Sequence, residues 1–300
     1  MNVKFINEQM DILEEELKRA EMSEGFLVEM RRYSGEDRVI SFQDYMEYIK
    51  GLPVTDKMMS QIKELDDLTD GFETGELVVI SAPTGMGKTS MLATLIKNFA
   101  NQKIGSLLFT FEVSAQKFIN KYGEDVPVAY LPKVIKDKSL DWIESKIIEA
   151  KVKYNIQAIF IDHLHYLIDM FKLRNPSLEI GQIVRELKLL AIKYNIAVFL
   201  VAHLAKTTME ERINLDSIRD SSFVAQEADF VLLMWRDTQE RTKKDYESRK
   251  AIEYLTTTTL AVDKNRRSGK LGDVKLIMVN NLFEKFNEQL DYGQDIASTI

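Results

Sequence analysis

Leu77-Val78-Val79-Ile80-Ser81-Ala82-Pro83-Thr84-Gly85-Met86-Gly87-Lys88-Thr89-Ser90 joins an apolar run to a turn of small residues and a lysine. A short aliphatic run of this kind, bounded by a turn, reads as a strand buried on both faces. Beyond the turn, Met91-Leu92-Ala93-Thr94-Leu95-Ile96 continues as a helix. Strand, turn, Gly-Lys-Thr and helix make the setting of a phosphate-binding loop. Backbone N–H groups and the positive end of the helix dipole meet an anion there. Ala82, Pro83, Thr84, Gly85, Met86, Gly87, Lys88, Thr89 and Ser90 are therefore the expected nucleotide contacts. Lys88 is expected to reach the outer phosphates of a nucleoside triphosphate, and the Thr89 hydroxyl to hold Mg²⁺. Ala82 stands where the usual pattern has its first glycine, a departure of one methyl group. A plain glycine-rich turn would not explain the lysine at the helix start.

The composition bounds the rest. A chain of 300 residues, 45% hydrophobic and 29% charged, suits one large globular domain with a small appendage. Its apolar runs are too short to span a bilayer, so no membrane contact is expected. The absence of cysteine excludes disulfides and thiolate metal sites, and fits a cytoplasmic protein. A net charge of −7 argues against a basic coat, so any polyanion must be met by local basic loops. Much of that charge lies in residues 1–50, with 12 acids against 7 bases, leaving 35 against 33 elsewhere.

Residues 1–50 read as an acidic helical appendage. Ile6, Met10, Leu13, Leu17 and Ala20 form one helical seam, and Ser41 with Asp44 predicts a capping box before Phe42, Tyr45, Met46 and Ile49. Either seam can pack on the chain's own core or dock on a neighbouring subunit. Residues 51–65, beginning Gly51-Leu52-Pro53, read as a linker. From residue 66 to 300 the pattern is an α/β domain. Strands are expected at 77–81, 106–111, 157–162 and 197–202, and helices at 88–100, 139–154 and 177–194. After residue 228 three strand-like runs are expected to extend this mostly parallel sheet with antiparallel strands.

Three strands end in a polar residue at the lip where open α/β sheets bind ligands. Ala158-Ile159-Phe160-Ile161-Asp162 delivers a carboxylate suited to support Mg²⁺. Leu107-Leu108-Phe109-Thr110-Phe111-Glu112 delivers Glu112, a candidate to polarise an attacking water. Phe199-Leu200-Val201-Ala202-His203 delivers His203, a candidate hydrogen-bond donor to a γ-phosphate. Each is commonplace alone, since strands often end in polar residues. Their order behind one phosphate loop carries the inference.

In that order, the chain resembles the RecA-fold ring helicases. The motifs are the phosphate loop, Phe111-Glu112, Ile161-Asp162-His163, Val201-Ala202-His203-Leu204, Ser217 to Ser222, and Asp263-Lys264-Asn265-Arg266-Arg267-Ser268-Gly269. The lead-in from Leu65 to Leu77 is shared by the bacterial DnaB replicative helicases and by the phage primase-helicase branch that includes mitochondrial Twinkle. Asp162-His163, His203 and the Lys-x-Arg-x-x-Gly spacing look more like the second branch. The similarity runs from about residue 65 to 285.

The resemblance implies a RecA-like ATPase that moves 5′-to-3′ on single-stranded DNA as a hexameric ring. It implies Lys88 and Thr89 on phosphate and Mg²⁺, Glu112 as base, Asp162 at the metal and His203 as sensor. Lys264 and Arg266 would act on the adjacent subunit's nucleotide, with Arg267 the alternative finger. Arg236 would stack on the adenine. Val279 stands where that branch has an aromatic partner, and Phe283 or Phe286 is the candidate substitute. Lys172 and Arg174 in one loop, and Lys206 and Arg212 in a second, would hold the DNA through its phosphates. A separate primase, polymerase or loader is the expected partner. The alternative is an ATPase of the KaiC or recombinase-paralogue kind, which uses nucleotide to switch assembly.

Overall fold

The computed structural model describes residues 24–51, 57–123, 127–167, 176–203, 224, 226–243 and 251–286. The seam from Ile6 to Ala20, and Lys172, Arg174, Lys206 and Arg212, lie outside the described residues. The chain divides into two compact units, Met1–Val54 and Thr55–Ile300.

The first unit contains α1 (Glu24–Arg31) and α2 (Phe42–Lys50). The N-cap half of the expected box forms at α2: Asp44 N donates to Ser41 Oγ at 3.1 Å, and the Ser41 hydroxyl donates to Asp44 Oδ2 at 2.7 Å. This gives a partner to one backbone N–H that the first helical turn leaves open. No residue of α2 is buried, and Phe42 is 87% exposed.

The second unit opens with α3 (Lys63–Thr69), β1 (Leu77–Ala82), α4 (Lys88–Asn101), β2 (Ser106–Thr110), α5 (Ala115–Tyr122), α6 (Leu140–Tyr154) and β3 (Ala158–Asp162). A 3₁₀ turn (Leu164–Leu167), α7 (Pro176–Tyr194), β4 (Ala197–His203), β5 (Phe230–Lys243), β6 (Ala251–Asn265), β7 (Gly272–Val279) and β8 (Leu282–Lys285) follow. The strands make one sheet in the order β2-β3-β4-β1-β5-β6-β7-β8. β2, β3, β4, β1 and β5 are parallel, whereas β6, β7 and β8 run antiparallel.

Parallel strands covered on both faces need apolar side chains on both faces. Val78, Ile80 and Ala82 point to one layer, with Phe72, α4 and Phe99; Leu77 and Val79 point to the other, with Ile147 of α6 and Leu187 of α7. The first layer is aromatic at its centre. Phe160 stacks on Phe199 at 4.7 Å between centroids, and Phe72 meets Phe199 and Phe230 edge-on at 5.2 and 5.5 Å.

Two expectations need correction. The run from Phe230 is a fifth parallel strand paired with β1, so the antiparallel extension begins only at β6. Residues 57–65 are not linker, because Met58, Ile62 and Leu65 are buried in the Phe72 layer. Met58 and Phe72 exchange backbone hydrogen bonds of 2.8 and 3.0 Å, which closes the segment onto the body. Strand β8 and helices α1, α3 and α5 were not anticipated from the sequence. Among the described residues, no helix is long and apolar enough to cross a membrane.

Candidate nucleotide site

β1 ends at Ala82, the chain turns through Gly85 and Gly87, and α4 begins at Lys88. Gly87 carries φ 95°, and a Cβ there would stand 2.8 Å from Phe283 Cζ and 3.0 Å from Met278 Cε. Glycine is therefore required by both backbone conformation and packing. Phe283 is buried beneath this turn and its N–H donates to Thr94 Oγ1 at 2.8 Å. The expectation that Phe283 offers a stacking face to a base is thus corrected: its ring supports the loop. Phe286 lies at the end of β8, where its N–H donates to Lys275 O at 3.0 Å. Arg236 is exposed on β5, three residues beyond Leu233, which pairs with Ser81.

Lys88 is buried, and its Nζ donates to Ala82 O at 2.8 Å and Pro83 O at 3.0 Å. Burial pushes its pKa down, while the Asp162 and Glu112 carboxylates oppose that shift. Thr89 Oγ1 donates to Asp162 Oδ2 at 2.7 Å. Asp162 is 2% exposed, and its Oδ1 is a buried acceptor without a hydrogen-bond partner. Burial raises the Asp162 pKa; the Thr89 hydroxyl and Lys88 pull the other way, and Glu112 adds to the rise. A buried acceptor beside a Thr hydroxyl and a desolvated ammonium fits a nucleotide with a divalent cation. Among the described residues no group of three His, Cys, Asp or Glu could hold a metal by itself. Mg²⁺ carried on phosphates needs only one or two protein oxygens.

Glu112 comes to the same lip. Thr110 pairs with Asp162 across β2 and β3, and Phe111 N donates to Asp162 O at 2.9 Å. The next residue therefore clears the sheet edge, and the Glu112 side chain is 43% exposed. His203 pairs in register with Ala82, at the root of the loop. Burial, then Lys88, pushes its pKa down. The chain has three histidines, and His163, His165 and His203 all gather here, with ring centroids 4.0 to 5.7 Å apart.

Two side chains the sequence reading passed over also join the site. On α5, Lys121 Nζ donates to Ser90 Oγ at 3.0 Å, and Tyr122 OH donates to Thr89 O at 3.5 Å. Burial lowers the Lys121 pKa and raises that of Tyr122 to about 12. Their signal was the polar-apolar period after Glu112, which marks a helix but not its neighbour.

Lys264 and Arg266 stand at the other end of the sheet. Asp229 N donates to Leu77 O, and Arg266 N donates to Asp229 O, so Arg266 sits level with the start of β1. At ~3.3 Å per residue, that level is roughly 17 Å from Ala82. Both side chains point one way and reach Gln226 O, Lys264 at 3.4 Å and Arg266 at 3.2 Å. Asp229 anchors this end: its Oδ2 accepts from Leu77 N at 2.8 Å and from Lys188 Nζ at 2.5 Å. Arg266 is 56% exposed and 3.7 Å from Asp229 Oδ1.

Arg267 behaves differently. It binds Glu76 through Nε and NH2, donates to Thr69 O at 3.1 Å and to Asp70 O and Gly71 O at 3.3 Å, and lies 5.4 Å over the Phe230 ring. A guanidinium with that many partners in its own subunit is committed to the fold.

The profile of the DnaB-like helicase C terminal domain family matches residues 58–125 and 127–288. A probable replicative DNA helicase of Trieres chinensis is 27% identical over 266 residues, covering 77% of this chain and 57% of that protein. The replicative DNA helicase DnaB of Mycoplasma pneumoniae is 28% identical, covering 70% and 52%. That of Geobacillus stearothermophilus is 24% identical, covering 96% and 70%. The chain thus spans little more than half the length of the first two relatives. Two solved structures share the fold. One is an ATPase domain, with TM-score 0.63 at 20% identity, covering 82% of this chain and 96% of that one. The other is a DnaB-like replicative helicase described with its interactions with primase, with TM-score 0.64 at 19% identity, covering 94% and 76%. The RecA-like sheet, the loop around Lys88 and the profile match over most of the second unit lead to one conclusion: this chain belongs to the DnaB-like helicase C-terminal domain family.

Proposed function

We propose that the chain is the ATP-hydrolysing motor of a replicative DNA helicase, working as a hexameric ring that moves 5′-to-3′ on single-stranded DNA. One observation carries the reading. Lys88, Asp162, Glu112 and His203 meet at one end of the sheet, and Lys264 with Arg266 meet at the other. A subunit built this way holds two half-sites. Its own cations stand too far from its own Lys88 to share a phosphate, so a complete site needs two subunits.

In that site Lys88 exchanges its carbonyl partners Ala82 and Pro83 for the outer phosphates. Thr89 and Asp162 hold the Mg²⁺, which when bound neutralises charge growing on the phosphate oxygens. Glu112, exposed to water yet next to the lip, accepts a proton from the attacking water. His203 contacts the γ-phosphate, and Arg236 lies against the base. Lys264 and Arg266 supply positive charge to the transition state of the adjacent subunit. Lys172, Arg174, Lys206 and Arg212, outside the described residues, hold the DNA backbone. The exposed seam of α2 docks on a neighbouring subunit, and a separate primase, polymerase or loader joins the ring.

The test is ATP hydrolysis with and without single-stranded DNA, using Lys88→Ala as the blank. A motor speeds up severalfold on the strand and loses all turnover in the blank. Turnover indifferent to DNA would instead support the assembly-switch reading. Mixing Arg266→Ala with Lys88→Ala subunits should restore some activity, because one mixed interface is intact; no recovery would refute catalysis across subunits.

A further inference from the structure

His163 is assigned no part in the chemistry above, yet it sits between two groups that are. Its Nε2 is 2.9 Å from His203 Nε2 and 3.5 Å from Glu112 Oε2. The ring is buried, meets the His203 ring at 4.0 Å and 74°, and is flanked by Tyr166 at 4.8 Å. A ring nitrogen carries at most one hydrogen, and Nε2 is the nitrogen that faces both neighbours.

Which nitrogen carries that hydrogen follows from the partners. A carboxylate can only accept. With the proton on His163 Nε2, the contacts to Glu112 and to an unprotonated His203 nitrogen are both attractive. With the proton on Nδ1, a lone pair would face the Glu112 carboxylate, and the N–H would point to a buried place without a hydrogen-bond partner. The first arrangement satisfies more of the site.

Resting on the nucleotide reading above, we propose that His163 is a positioning residue whose single Nε2–H is shared between Glu112 and His203, so that the direction His203 faces sets how firmly the base is held. When His203 turns to a γ-phosphate, the shared hydrogen belongs to Glu112 alone and orients its carboxylate toward water. When the γ-phosphate leaves, His203 takes the hydrogen bond back and Glu112 is released. The base is thereby firm only while there is a phosphate to cleave. The other site histidine, His165, stands further off, with its ring 5.3 Å from that of His203.

The full chain carrying His163→Gln or His163→Phe tests this, because glutamine can present an N–H near the same place and phenylalanine cannot. His163→Phe should lower kcat by about tenfold or more while KM and the Kd of a fluorescent ATP analogue stay within about twofold. His163→Gln should recover most of that loss. In a Glu112→Gln background, His163→Phe should cost nothing further, since it acts through Glu112. Equal losses in both variants, an unchanged kcat, or a further loss in that background would each overturn the proposal. Ring ¹⁵N spectra give a readout independent of folding in the variants, as the chain has only three histidines. A protonated Nε2 at His163 is expected, and an unprotonated one would refute the donor assignment. A wild-type chain with no Lys88-dependent hydrolysis would refute the nucleotide reading itself, which is a different result.

Discussion

Arg266 and Arg267 are neighbours of identical chemistry, and replacing each by alanine should give opposite phenotypes. The Arg267 side chain is 24% exposed and its partner Glu76 13% exposed. Arg267→Ala strands that carboxylate where burial already raises its pKa. It also frees three backbone carbonyls and uncovers the Phe230 ring. Breaking a buried pair from one side costs about 3–5 kcal/mol, and the remaining water access puts this case near ~3. For a unit of this size that lowers Tm by roughly 6–12 °C. The deficit should depend on pH with a definite sign. Glu76 has a folded pKa above its unfolded one, so its contribution is fully present below the unfolded pKa and lost as pH rises through the folded value. Without Arg267 the folded pKa climbs further, and the loss of Tm should be smaller in acid than at neutral pH. Glu76→Gln in the same background should recover part of the Tm. Arg266→Ala, by contrast, removes an exposed ion pair worth at most about 1 kcal/mol, so Tm should hold within a few degrees. Its ATP hydrolysis should fall on the order of 10³-fold. Calorimetry and steady-state hydrolysis on both variants decide the matter. An unchanged Tm with collapsed hydrolysis in Arg267→Ala, and a silent Arg266→Ala, would invert the assignment.

Glu112→Gln should leave nucleotide affinity near wild type and slow hydrolysis by about 10²-fold or more, as loss of a general base does; turnover within a few fold of wild type would remove that role. Gly87→Ala should destabilise by about 2–5 kcal/mol and weaken nucleotide binding, because the strain of a Cβ at φ 95° adds to a methyl group that meets Phe283 at 2.8 Å. Gly85→Ala meets nothing within 4 Å and bears only the strain of φ 81°, about 1–2 kcal/mol. Equal Tm losses in the two glycine variants would contradict the packing beneath the loop.

The parallel part of the fold was legible because its strands are buried on both faces. Leu77–Ile80, Ile159–Ile161 and Val198–Val201 are uninterrupted apolar runs, and Asp162 and His203 close the second and third of these strands at the lip. The helices between them carry caps that can be read locally, such as Ser139, whose Oγ accepts from Trp142 N at 3.3 Å. The direction of the Phe230 strand was not legible. An apolar run has no polarity of its own, and only its register beside Val78 to Ser81 makes it parallel. Likewise Met58 and Ile62 look like loop residues in a polar stretch until Phe72 and α4 cover them.

Local chemistry along the chain was enough to announce a phosphate loop, an acidic strand end and a family, because those depend on residues within a few positions of one another. Tertiary packing had to supply the rest. It brought Lys121 and Tyr122 to the loop, tied Arg267 to Glu76 while leaving Arg266 exposed, and closed His163 between Glu112 and His203. Those pairings join residues from 31 to 191 positions apart in the chain. No pattern in a single chain encodes which of two equal cations finds the carboxylate: the answer lies in the space left once the sheet has formed.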